Sequence, residues 1–396
     1  MRYLSTRGGV APASFTEVML AGLAPDGGLY QPETIPGLPE GWENWSYQEA
    51  VAGSLELYGA TDVRPEVDEA ATRFHHPEIA PLAQVGERLV LQLFWGPTLS
   101  FKDHALQVLA RLMEREVEEG TVLGATSGDT GSAAIEAFRG LRGLRVVILF
   151  PEGKVSAFQR RQMTTVSDAN VTAVAVRGTF DDCQALVKGA FRDHPGLLAV
   201  NSINWARIAA QTGFYLHAAA RVGEPFDVAV PAGNFGNAYS CWLAKQMGAP
   251  IVTITLANNA NRALFDLVST GEIPDAPVVP TMAPAMDIRL PSNLERLDVD
   301  PAEEFEADWS TDEEIVATVA GVQRAHGYRL DPHTATAWRA VRERASGRPQ
   351  VVVGTAHPAK FDATAPLPEW FPSLEGTEER VVVIDPELAA LAPLIG

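Results

Sequence analysis

Short apolar runs rich in β-branched residues recur along the chain, and segments with helically spaced apolar positions fill the intervals. The runs cover 88–94, 121–125, 144–150, 171–176, 197–201, 227–230, 251–257 and 350–354, and each predicts a strand. Between them, 103–118, 130–139, 180–192, 206–222 and 237–247 place apolar residues three and four apart, the spacing of a helix with one buried face. Strands that are apolar along their whole length are covered on both faces. Their alternation with helices predicts an α/β fold with open, mostly parallel sheets. Ligands on such sheets collect at the carboxyl ends of strands, in the loops that open helices.

The pattern breaks twice. Residues 1–85 are rich in Gly, Pro and Trp, carry two short helical stretches, and predict an N-terminal subdomain. Around 274–307 the chain is interrupted by Pro280, Pro284, Pro291 and Pro301, with an acidic run over 298–308. That run reads as a solvated surface insertion rather than a metal site.

Composition narrows the classes. A chain of 396 residues, 46% hydrophobic, is long enough for two or three domains with real cores and is neither disordered nor collagen-like. Acidic residues outnumber basic ones by 50 to 31, a net charge of −19, so nucleic acid and anionic membranes are not expected partners. Cys183 and Cys241 lie outside any CxxC and read as small buried side chains. No apolar run approaches the ~18 residues of a membrane span, and the start lacks a signal-peptide core, so a soluble cytoplasmic protein is expected. The pair His75-His76 has no HExxH spacing, and no metal is expected. Lysine is scarce: Lys102, Lys154, Lys188, Lys245 and Lys360 are the only amine side chains.

Three strand-to-helix junctions carry residues that ordinary turns do not need. In Gly96-Pro97-Thr98-Leu99-Ser100-Phe101-Lys102-Asp103-His104 a lysine stands at a helix mouth. The helix dipole disfavours a cation there, which lowers the amine pKa and keeps part of it neutral, as an imine-forming nucleophile requires. The alternative is an exposed lysine beside a capping Asp103. In Ala125-Thr126-Ser127-Gly128-Asp129-Thr130-Gly131-Ser132, hydroxyls and glycines offer free N–H groups to an anion, unless Asp129 simply caps the helix. In Pro231-Ala232-Gly233-Asn234-Phe235-Gly236-Asn237 two glycines let a ligand approach the backbone ahead of a helix dipole, the arrangement of a phosphate cradle or of a structural turn.

One lysine at a helix mouth and one glycine-rich cradle are the minimal set for pyridoxal phosphate, which also needs a partner for its pyridine nitrogen. Thr355, at the end of the last strand, is a candidate for that role. Lys188 and Lys245 fall inside helical segments, Lys154 follows an acidic turn, and Lys360 lies several residues beyond its strand. His104 reads either as a helper beside Lys102 or as filler of the helix start, and His357 as a packed neighbour of Thr355.

These residues resemble a family. Tyr3-Leu4-Ser5-Thr6-Arg7-Gly8, the stretch 22–30, PTxSFKDH around Lys102, TSGDTG at 126–131, PEGKVSxxQRRQM at 151–163, NSINWAR at 201–207, GNFGN at 233–237, MDIxxPSNxER at 286–296 and GTAHPAKF at 354–361 resemble the threonine synthases. These are pyridoxal-phosphate enzymes of fold type II, the tryptophan-synthase-β-like type. The likeness runs over nearly the whole chain. It implies two α/β domains with the cofactor between them: a larger one from 86–120 and 205–396, and a smaller mobile one from 121–204.

The resemblance further implies that Lys102 binds the cofactor as a Schiff base, that Gly233, Asn234, Phe235, Gly236 and Asn237 hold its phosphate, that Thr355 bonds its ring nitrogen, and that Asp129 stands near its 3′-oxygen. The implied substrate is O-phospho-L-homoserine, converted with water to L-threonine and phosphate. Thr126, Ser127 and Thr130 would take its carboxylate; Asn201, Ser202 and Arg207, helped by Lys154 or Arg160, its phosphate. Arg160 also reads as a surface charge. Another enzyme of the same cofactor class, such as a serine or threonine dehydratase, is the rival activity, and a cofactor-binding sensor without catalysis is the rival class. Oligomeric state is left open between monomer and homodimer.

Overall fold

The computed structural model describes residues 1–194, 196–341 and 347–396. All the expected strands and helices form, with ends shifted by one or two residues. They assemble into two sheets. The first runs, edge to edge, Glu306–Trp309, Ile251–Asn258, Phe226–Pro231, Gln350–Gly354, Arg88–Gln92 and Leu82–Val85. Its neighbours are parallel except for the last pair, a hairpin turned at Gly86 with φ 58°. The second runs Val382–Ile384, Val171–Val176, Leu144–Pro151, Gly120–Ala125 and Leu197–Ala199, parallel throughout. Central strands are buried over most of their length, Phe226–Pro231 at every residue, which is why they read as largely apolar runs.

Three features differ from the sequence expectation. Within residues 1–85 three helices form rather than two, at Phe15–Ala21, Tyr47–Leu57 and Arg64–Ala71, and Tyr3, Val51 and Leu55 share one core with Trp205 and Phe214. Tyr47–Leu57 approaches the helix Trp205–Val222 so closely that a Cβ on Gly213 would lie 2.6 Å from Val51 Cα. Second, the acidic run hides a strand. Glu306–Trp309 closes the first sheet, because an edge strand tolerates charge on its open side. Asn293 and Arg296, just before it, are buried.

Third, the end of the chain leaves the grouping 205–396. Val382–Ile384 pairs with Val171–Val176 in the second sheet, and Leu388 of the helix Leu388–Ile395 packs where Gly189 has no Cβ. No described helix is long and apolar enough to cross a membrane.

Candidate active site

The strands Arg88–Gln92, Gln350–Gly354 and Phe226–Pro231 are parallel neighbours, so their carboxyl ends open at one edge of the first sheet. The loop before Lys102 is pinned to the end of Gln350–Gly354. Phe101 N donates to Thr355 O at 2.8 Å, and His357 N donates to Leu99 O at 3.0 Å. Leu99 holds a left-handed φ of 62°, a costly conformation for a branched residue that the surrounding bonds enforce. Asp103 does not cap its own helix. It turns back to accept from Thr98 N at 2.8 Å and Thr98 Oγ1 at 2.7 Å, against Gly96, where a Cβ would meet its carboxylate at 2.5 Å. Burial pushes the Asp103 carboxyl up to about 7.

Lys102 thus opens the helix Lys102–Glu116 with 13% of its side chain exposed. Its Nζ lies 3.3 Å from Oδ2 of Asp129, the first residue of the helix Asp129–Phe138 on the second sheet. Burial lowers the Lys102 amine from its ordinary value; Asp129 opposes that effect and Lys360 adds to it. Burial alone would raise Asp129, but the Lys360 and Lys102 ammoniums and the Gln159 amide, 2.8 Å from Oδ1, overturn that and hold it below the usual carboxylate range.

The cradle follows the strand Phe226–Pro231. Phe235, with φ 64°, precedes the helix Gly236–Met247 and aims its first N–H groups outward from the sheet edge. A Cβ on Gly233 would meet Ala285 O at 2.6 Å. Asn234 is clamped: its side-chain amide donates to Ser202 Oγ, and its Oδ1 accepts from Ser292 N at 2.6 Å. Asn237 Oδ1 accepts from Tyr215 Oη at 2.8 Å, while its Nδ2 is buried with no partner among the described residues. An unpartnered buried donor at a helix N-terminus calls for an anion. Thr355 is buried beside this edge, its N–H donating to Thr334 Oγ1 at 3.3 Å. Asp331 anchors that hydroxyl and, at 2.9 Å, His333 Nδ1. An amine depressed by burial, a phosphate-sized donor cradle and a neutral hydroxyl for a ring nitrogen fit pyridoxal phosphate.

The remaining candidates separate. Arg207 is buried, donates to Val200 O at 2.9 Å, leaves Nε unpartnered among the described residues, and is pulled down to about 10 by burial. Ser202 is tied to the cradle loop through the Asn234 clamp. Asn201 and Ser127 are exposed and Thr130 half-buried. The Thr126 hydroxyl is engaged within its own loop, accepting from Gly128 N and Gly131 N, both at 2.9 Å. Lys154 is exposed on its turn, and Arg160 is turned to Glu379 at 2.9 Å. His104 faces away from Lys102, with Nδ1 2.6 Å from Tyr47 Oη. No group of three metal-ligating side chains occurs among the described residues.

Sequence reasoning passed over Lys360, Gln159 and Asn293. Lys360 lies several residues past its strand, where spacing gives it no role. Its position inside GTAHPAKF, in a chain with so few lysines, was the available signal.

Residues 77–356 match the family described as pyridoxal-phosphate dependent enzyme. Fold and site thus define an enzyme of the pyridoxal-phosphate class. Residues 2–68 and 334–395 match the threonine synthase N-terminal and C-terminal families. The chain is 39% identical to a threonine synthase of Pseudomonas aeruginosa, with 100% of this chain and 98% of that protein covered. The crystal structure of pyridoxal-phosphate-bound threonine synthase from Brucella melitensis superposes with a TM-score of 0.92 at 39% identity, covering 100% and 98% of the two chains. That of the yeast enzyme superposes at 0.90 and 32% identity, covering 100% and 98%. The chain belongs to the threonine synthase family.

Proposed function

We propose that the chain converts O-phospho-L-homoserine and water to L-threonine and phosphate, with Lys102 as the residue that binds the cofactor and moves the substrate's protons. The observation that carries this is the Lys102–Asp129 contact, where a buried amine of lowered pKa meets a helix mouth from the other sheet. Bound pyridoxal phosphate supplies an electron sink for the substrate's α-carbon.

The chain's own residues do the rest. Gly233, Asn234, Phe235, Gly236 and Asn237 would hold the cofactor phosphate and Thr355 would bond its ring nitrogen, with Asp129 beside Lys102. Arg207 and Ser202 take the substrate phosphate, and the N–H groups around Ser127 and Thr130 its carboxylate. Lys102, free of its proton, takes one from substrate carbon and later returns it. Water must add only after phosphate has left, so the helix Asp129–Phe138 and the sheet behind it close over the site. The closing body would be 121–204 together with 382–396.

Phosphate release from O-phospho-L-homoserine, wild type beside Lys102→Ala, tests the reading. Turnover in the parent and loss in the variant is expected. Keto-acid release from serine or threonine without phosphate turnover would replace this reading with a dehydratase.

A further inference from the structure

We propose that Lys360 is a positioning residue for Lys102: its buried ammonium fixes Asp129 and takes up that carboxylate's charge, leaving the Lys102 amine free to shed its proton. The inference rests on Lys102 being the cofactor-binding residue, and it assigns a second lysine that the reaction itself does not call for.

The two ammoniums share one carboxylate unequally. The Lys360 side chain is fully enclosed, with 0% exposure, and its Nζ lies 3.0 Å from Asp129 Oδ1. It also donates to Thr98 O at 2.7 Å and to Gln162 Oε1 at 3.1 Å. Two of its three donors are thus hydrogen-bonded, and the ammonium sits against the Asp129 carboxylate as an ion pair. Lys102 makes one longer hydrogen bond of 3.3 Å, to the other oxygen, and otherwise lies over the Phe101 ring. Two buried positive charges against one negative charge leave an excess that the low-dielectric surroundings penalise. Deprotonation removes it, and the proton leaves the less tightly held group.

Neighbouring charges act in both senses. Arg207 adds to the lowering of Lys102, while Asp103 faces Lys360 and His333 faces Asp129. A second cation beside a nucleophilic lysine is an established way to keep its amine neutral near physiological pH. The short turn Pro358–Lys360, capped by His357 Nδ1 accepting from Ala359 N at 3.2 Å, sets Lys360 in place just past the strand end.

The test is the pH dependence of the rate at which the cofactor-free full-length chain captures added pyridoxal phosphate, followed by visible absorbance. Lys360→Met and Lys360→Gln should move the midpoint up by about one pH unit or more, since the lost like charge lets Lys102 keep its proton. Lys360→Arg should leave the midpoint near the parent's, and the double change Asp129→Asn with Lys360→Met should return it towards the parent's. A merely structural role lowers the melting temperature without moving the midpoint. An unmoved midpoint in both Lys360→Met and Lys360→Gln overturns the proposal. Lys102→Ala separates the two assignments: if it still gains the visible band, Lys102 is not the cofactor-binding residue and the role of Lys360 falls with it.

Discussion

The side-chain amide of Asn293 donates to the main-chain carbonyl of Asn234, 2.9 Å away, and so ties the 274–307 insertion to the cradle loop. The same amide reaches Ser202 O at 3.3 Å, and Asn293 Oδ1 receives the buried Arg296, whose Nε donates to Tyr30 O at 2.9 Å. One asparagine thus holds three loops together. Asn293→Ala leaves buried carbonyls unpaired, at a cost of about 1–3 kcal/mol. Pyridoxal-phosphate affinity, measured by titration of the visible band, should fall by roughly tenfold. Unchanged affinity would detach this brace from the cradle.

Asn237 offers a cleaner probe of the phosphate. Asn237→Asp keeps the acceptor for Tyr215 but replaces the unpartnered amide donor with an anionic oxygen. Affinity for pyridoxal phosphate should drop by two orders of magnitude or so, while affinity for phosphate-free pyridoxal changes little. Equal losses for both would place the phosphate elsewhere.

Arg207 is buried with no carboxylate within ion-pairing distance among the described residues, which leaves its charge open to the substrate phosphate proposed for it. Arg207→Gln should raise KM for O-phospho-L-homoserine by about tenfold or more while leaving cofactor affinity near the parent's. A loss of cofactor affinity with KM unchanged would move Arg207 out of the substrate site.

Stability should fall on acidification. Burial holds His104 at about 3, and His217 and His357 at about 4, against 6.5 when exposed. Between those values the unfolded chain binds the additional protons. Their contribution is complete above pH 6.5 and is lost as pH falls towards 4, at about 1.4 kcal/mol per pH unit for each group. Asp103, raised from 3.8 to about 7, acts in the opposite sense, because the folded chain keeps a proton that the unfolded chain has lost. Three groups outweigh one, so denaturant midpoints should decline from pH 6.5 to 4. His217, whose ring nitrogens have no partner among the described residues, is the place to check. His217→Leu should flatten the decline by one proton's worth.

How far the site was legible depends on the range of the signal. Lys102 and Gly233–Asn237 announce themselves through local chemistry: a cation against a helix dipole, and glycines where a backbone must be approached. The edge strand Glu306–Trp309 did not, because an edge position relaxes the apolar requirement that marks the central strands. The hydroxyl of Thr126 looked available for substrate, yet it is engaged by the two amides of its own loop.

The sequence by itself determined the alternation of strands and helices, the loops at the strand ends and the one lysine at a helix mouth. All of these are written in periodicities and spacings of a few residues. Only the tertiary structure decided that Lys360 and Lys102 share the Asp129 carboxylate, that Asn293 braces the cradle, and that the C-terminal strand joins the second sheet. Those pairings join segments far apart in the chain. Their energies come from burial and charge compensation, which exist only once the two sheets have come together.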